Sequence, residues 1–272
     1  KPPAAISSRG LEKGCFIADI ICAFVGSKMS VFENVGFCGG NLKREKGIPM
    51  KHINIAVDGP AGAGKSTVSR AVARELGIIY LDTGAMYRAL GLKAVRLGID
   101  PNDESGVMTF LPETRVEIEY REGVQHILLD GEDVSQQIRQ HEISKAASDI
   151  SKIPAVRIRM VELQREIAAA NDVIMDGRDI GSYVLPDAPC KFYLDARPEV
   201  RAARRVRDLE AKGQTASFEE ILRDIVERDR NDSTRAFAPL KCVEDAVRVD
   251  TSDMSEEQVI AFLAEKVRES CR

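Results

Sequence analysis

Gly59-Pro60-Ala61-Gly62-Ala63-Gly64-Lys65-Ser66 satisfies the pattern G-x-x-x-x-G-K-[ST] at every position. The β-branched run Ile53-Asn54-Ile55-Ala56-Val57-Asp58 reads as a strand before it, and a helical pattern runs from it through Leu76. That strand–loop–helix context is the one the motif requires. Its chemistry comes from backbone access: glycines let successive N–H groups wrap a polyphosphate, and the helix N-terminus adds a partial positive charge. Lys65 is placed to reach the β- and γ-phosphates, and the Ser66 hydroxyl to bind Mg²⁺. The plain alternative is a Gly-rich turn that holds nothing.

Working outward, Ile78 to Leu81, Val173 to Asp176, Lys191 to Asp195 and Ala246 to Asp250 read as further short, buried strands. Helical patterns separate most of them, including one over about 85–97 and one over about 255–269. The expectation is an α/β fold, a five-stranded parallel sheet flanked by helices. One region breaks the rhythm. Arg115 to Tyr120 alternates polar with apolar, Arg121-Glu122-Gly123-Val124 turns the chain, and Gln125 to Leu129 returns. This predicts a small antiparallel sheet inserted between the second and third core strands. An insert there can overhang the carboxyl ends of the strands, where open α/β sheets bind ligands.

Composition narrows the partners. The chain has 272 residues, with 39 Lys and Arg against 43 Asp and Glu, a net charge of −4. A general nucleic-acid partner would normally demand a basic excess. No stretch approaches the roughly 20 apolar residues of a membrane span. The six cysteines include no C-x-x-C pair, and the three histidines are scattered, so zinc and dithiol chemistry find no support and a reduced, cytoplasmic setting is expected. Cys190 and Cys242 read as core or near-core thiols. Residues 1–49 mix Pro, Gly, Ser and three cysteines and end beside Lys43-Arg44-Glu45-Lys46. They read as a poorly ordered N-terminal extension outside a folded domain at 50–272, with a targeting or partner segment as the alternative.

A phosphate cradle names a nucleotide and leaves the reaction open. The guanine-reading N-K-x-D and the transporter sequence L-S-G-G-Q are both absent. What stands out is arginine late in the chain: Arg197, Arg201, Arg204, Arg205 and Arg207 on one predicted helix, then Arg223, Arg228 and Arg230 on another, with Arg235 just beyond. Arg201, Arg204 and Arg205 share a face. Charge alone would make this a solvated, salt-bridged hairpin. Beside a phosphate cradle, the same arginines can neutralise a transferring phosphoryl group and exclude water.

Four ordered blocks, DGPAGAGKST at 58–67, LDTGAMYRA at 81–89, DGRDIG at 176–181 and ERDRND at 227–232, resemble those of bacterial cytidylate kinases, a family of P-loop nucleoside monophosphate kinases. The likeness runs from about residue 52 to 270. It implies transfer of the ATP γ-phosphoryl to CMP or dCMP in pyrimidine nucleotide metabolism, with Mg²⁺ accompanying ATP. A monomer is the expected working unit. The resemblance also implies a monophosphate-binding insert at about 100–170 and an arginine-rich helical lid at about 197–235. Carried over by position, Gly59, Pro60, Ala61, Gly62, Ala63, Gly64, Lys65, Ser66 and Thr67 would hold ATP. Thr83, Tyr87, Arg88, Ser148, Arg157, Arg178, Asp179, Arg228 and Asp232 would line the acceptor. Lys65, Arg178 and the lid residues Arg204 and Arg205 would serve the transfer, and Ser66 with Asp176, through water, the metal. Plainer roles stand beside several of these. Asp82 and Asp176 could cap elements, Tyr87 and Arg88 could be a packed ring and a solvated charge, and Arg178 and Asp179 could form a structural ion pair. Cytosine selectivity would follow from the N4 amino group donating to the Asp179 carboxylate and the Ser148 hydroxyl, which uracil's O4 cannot do. A kinase for UMP, or a module that binds ATP without turnover, is the alternative.

Overall fold

A computed structural model of the chain describes residues 52–211 and 213–270. The expectation for 1–49 lies outside the described residues. Strand β1 (Asn54–Asp58) leads into helix α1 (Lys65–Leu76), followed by β2 (Ile79–Asp82) and α2 (Thr83–Arg96). Then come α3 (Glu104–Phe110), the strands β3 (Val116–Arg121), β4 (Val124–Leu129) and β5 (Glu132–Asp133), and helices α4 (His141–Ile150) and α5 (Pro154–Ala170). The chain finishes with β6 (Val173–Gly177), β7 (Cys190–Asp195), α6 (Pro198–Glu210), α7 (Phe218–Thr234), β8 (Val247–Asp250) and α8 (Glu256–Ser270).

The five expected strands form one parallel sheet in the order β2-β6-β1-β7-β8. The chain leaves β1 for β2, returns to β6 between them, and then crosses to β7 on the far side of β1. This reversal opens a crevice beyond the carboxyl end of β1. Register aligns the chemistry there, since Asp58 lies opposite Gly177 and Tyr193, and Asp82 opposite Asp176.

The pleat divides the core into two layers. Ile55, Val57, Ile174, Phe192 and Leu194 pack with α1 and α8 through Val68, Val72, Val259 and Leu263. Ala56, Val173, Met175, Ile79 and Leu81 face the other way, onto Met86, Leu90, Met160 and Ile167. Both faces of β1, β2, β6 and β7 are covered, as a parallel sheet requires; the edge strand β8, expected to be buried, is exposed except at Val249. The insert belongs to the second layer, because Val107, Val116, Ile127, Leu129 and Ile143 are part of that same cluster.

The antiparallel sheet turns at Glu122 and Gly123, both left-handed at φ 52° and 76°, as a two-residue hairpin turn demands. It holds a third strand, β5, too short to register in the sequence pattern. Its link to the main sheet is specific. The Tyr120 hydroxyl donates to the Tyr80 carbonyl at 2.9 Å, and Gln125 Oε1 accepts the Asp82 N–H at 2.7 Å. The insert therefore braces the carboxyl end of β2.

Cys190 is buried, as expected, but Cys242 is exposed, so the second assignment is corrected. Cys242 lies in the irregular segment between α7 and β8, and such connections run over the surface. Among the described residues no helix is long and apolar enough to cross a membrane.

Candidate active site

The phosphate loop is held by close contacts and positive-φ backbone that favour glycine. Gly59 has φ +146°, and a Cβ there would fall 1.9 Å from the Leu194 carbonyl oxygen. Gly62, at φ +78°, lies against Arg201, whose Cβ would be 3.2 Å from an added methyl. At the helix start Lys65 is buried and donates from Nζ to the Pro60 carbonyl at 2.7 Å. Ser66 Oγ donates to Asp176 Oδ2 at 2.7 Å, and the Tyr80 hydroxyl to Asp176 Oδ1 at 3.0 Å. Asp176 thus caps no helix. It binds the loop serine, and burial together with the nearby Asp82 raises its carboxyl above the usual range. Thr67, in the first turn of α1, is exposed.

The second group surrounds the ends of β2 and β6. Thr83 Oγ1 donates to the Asp176 carbonyl at 2.7 Å. Asp82 caps α2 through the Ala85 N–H and also holds Arg88 Nη2 at 2.7 Å, so capping and positioning coexist in one side chain. Tyr87 is buried beneath the Arg157 guanidinium, which stands 5.3 Å above its ring, and burial pushes its hydroxyl up to about 12. Arg157, only 1% exposed, donates from Nη2 to Asp179 Oδ2. Arg178 and Asp179 do not pair with each other. Arg178 Nε donates to Asp232 Oδ2 at 2.7 Å, while Asp179 lies between Arg157 and Arg235, whose Nη2 is 3.4 Å from Asp179 Oδ1. Ser148 sits half-buried on α4, one turn before Ser151, whose carbonyl receives Arg157 Nη1 at 3.4 Å. Among the described residues no hydrogen bond joins Ser148 to Asp179.

The arginine-rich helices divide their work. Arg201 is buried and donates from Nη1 to the Ala61 carbonyl of the phosphate loop, while both terminal nitrogens hold Asp229 of α7. Arg204 donates to the Thr251 carbonyl at 2.6 Å, and the Thr251 hydroxyl in turn donates to Ala63 at 3.3 Å. Arg205 is half-buried next to it. Arg201 therefore reaches the loop directly and Arg204 through Thr251. The sequence put Arg201 on one helix face with Arg204 and Arg205 but gave it no role, and left Arg235 unassigned; the Asp179 contact that gives Arg235 its place joins two distant segments.

Cations converge between the two groups. Burial, then the neighbouring Arg178, pushes the Lys65 ammonium down to about 7. Burial and Arg178 also lower Arg228, to about 10. Burial works to raise Asp232, but Arg178 and Arg228 outweigh it and keep that carboxyl low. Positive groups that depress one another this way are poised for a multiply charged anion. An incoming polyphosphate should restore the Lys65 charge, so ATP binding at pH 8 is expected to take up a proton. Calorimetry in buffers of different ionisation enthalpy would read it, and Lys65→Met should abolish it.

A family model described as cytidylate kinase matches residues 55–269. The chain belongs to the cytidylate kinase family. Among its relatives, a cytidylate kinase of Caldicellulosiruptor bescii is 50% identical over 216 residues, covering 79% of this chain and 96% of that one. A cytidylate kinase of Pelotomaculum thermopropionicum is 49% identical, with coverage of 79% and 95%. One from Mycobacterium leprae is 48% identical, covering 81% and 97%. Family membership thus spans the entire sheet, the braced insert and the arginine-rich helices described above.

Proposed function

We propose that the chain transfers the γ-phosphoryl group of ATP to CMP or dCMP, with donor and acceptor meeting beyond the ends of β1 and β6. One observation carries the site assignment. Nε of Arg157 and Nε of Arg228 are buried without a hydrogen-bond partner, and Nη2 of Arg235 has an ion pair with Asp179 at 3.4 Å but no hydrogen bond, although folded proteins rarely leave such donors unmet. These three guanidinium groups flank Asp179 and Asp232, so a ligand that accepts from the arginines and donates to a carboxylate fits them. Cytosine matches that pattern, offering O2 and N3 as acceptors and N4 as donor, and its phosphate suits Arg88, Arg178 and Arg228.

The phosphate loop from Gly59 to Thr67 would hold the donor, with Lys65 following the transferring group. Arg178, Arg204 and Arg205 would add positive charge. An acceptor phosphate oxygen is already anionic, so no strong base is needed and catalysis reduces to alignment and charge neutralisation. The oxygen set of Ser66 and Asp176 suits a hard divalent cation; Ser66 would bind Mg²⁺ directly and Asp176 through water. When bound, that ion screens the phosphate charges. The partners are small molecules, and a single copy of the chain supplies every residue named.

ADP release by the purified chain with ATP and Mg²⁺ tests this across CMP, dCMP, UMP, AMP and dTMP. CMP and dCMP should exceed the others by about 100-fold, the discrimination that hydrogen-bonding sites reach readily. Equal rates with UMP would overturn the base reading, and ATP binding without acceptor-dependent release would favour a sensor.

A further inference from the structure

Asp58, the last residue of β1, does a job that the phosphate cradle does not require. Its side chain is buried, with 5% of the residue exposed, and Oδ1 accepts the Ile180 N–H at 2.8 Å while Oδ2 accepts the Gly181 N–H at 2.7 Å. Those amides follow directly on Arg178 and Asp179. We propose that Asp58 is a positioning residue, whose carboxylate fixes the backbone carrying Arg178 and Asp179 and registers the acceptor side of the site against the phosphate loop.

Two converging N–H groups ask for two acceptor oxygens, which an ionised carboxylate supplies and an amide does not. Asparagine would turn its NH₂ toward one of them. The clamp is close-fitting on its other sides also. A Cβ at Gly181 would lie 3.4 Å from Asp58 Oδ2 and 3.3 Å from the Lys191 stem, and one at Gly177 would lie 2.6 Å from Ile180 and 3.0 Å from Thr83 Oγ1. The donor loop has its own supports, Leu194 behind Gly59 and Arg201 behind Gly62, so the Asp58 side chain bears chiefly on the acceptor. A charge here is held at a cost. Burial raises the carboxyl to about 6, with Asp179 adding repulsion and Lys65 and the two N–H bonds opposing it. On the β7 side, the Lys191 ammonium is engaged by Pro186 and Asp245.

This inference rests on Asp179 contacting the acceptor, so Asp179→Asn accompanies Asp58→Asn in the full chain. Calorimetric Kd values for CMP and ATP at pH 8 are the first readout. Asp58→Asn should weaken CMP about tenfold, the scale of losing one charge-assisted hydrogen bond, with ATP held within about twofold. Lowering the pH toward 5.5 should bring the ratio of variant to wild-type CMP Kd toward one, because the wild type then loses the charge the variant lacks. The ratio cancels the titration of CMP itself. Equal weakening of both nucleotides, a pH-independent ratio, or an unchanged CMP Kd in Asp58→Asn when Asp179→Asn loses CMP would each overturn the proposal. No loss in Asp179→Asn would overturn the acceptor reading and the inference with it. Should Asp58→Asn fail to fold, the wild-type Ile180 and Gly181 amide resonances decide: they should titrate together with a midpoint near 6, and their failure to do so would count against the clamp.

Discussion

Asp179→Ala is expected to eliminate CMP turnover, leave ATP binding in place, and unfold at markedly lower denaturant than the wild type. Both losses come from its place between two arginines. Arg157 is only 1% exposed, and the Arg235 side chain only 7%. Removing the carboxylate leaves two buried cations facing one another, and breaking a buried pair from one side typically costs about 3–5 kcal/mol. Asp179→Asn keeps the shape and one acceptor oxygen, so it should recover part of the stability while still losing at least about 100-fold in kcat/KM for CMP. Urea unfolding, with ATP and CMP binding measured on the folded variants, separates the two effects. Equal weakening of ATP and CMP would show that Asp179 supports the whole fold and reads no base.

The parts of the site visible in the sequence are those whose residues are neighbours in the chain. The G-x-x-x-x-G-K-[ST] loop and its strand and helix are local, so periodicity and glycine spacing sufficed to find them. The inner strands were legible because strands buried on both faces are continuous apolar runs, and the exposed edge strand β8 was found by its β-branched pattern alone. Strand order was not, for order depends on which elements cover each face. The insert's hairpin announced itself by its alternation and its Glu122-Gly123 turn, whereas its seating on β2 depends on Tyr120 reaching the Tyr80 carbonyl. The same limit applies to the arginines. In sequence, Arg201 is one charge among many on an amphipathic helix, and only packing reveals that it anchors the phosphate loop and Asp229 together. Asp58 looked like the end of a strand because its partners, Ile180 and Gly181, are backbone amides of a distant loop and have no side-chain identity to read.

Arg178→Gln should reduce kcat about 1000-fold, at the lower end of what arginines contribute to phosphoryl transfer, while Asp232→Asn should cost much less. The two residues form one ion pair, with Nε to Oδ2 at 2.7 Å, so a purely structural role predicts similar stability losses in both variants and little change in rate. A catalytic Arg178 predicts a divergence in rate, measured by single-turnover transfer from ATP to CMP. A second readout does not depend on turnover. Arg178 is the leading charge that, after burial, holds the Lys65 ammonium down near 7. Removing it raises the Lys65 pKa, so more of the ammonium is already charged in the free protein at pH 8. Proton uptake on ATP binding should therefore shrink in Arg178→Gln relative to the wild type. Uptake that stays at the wild-type value, together with an undiminished kcat, would place Arg178 outside the transfer machinery and leave the burden on Lys65 and the arginines proposed on α6.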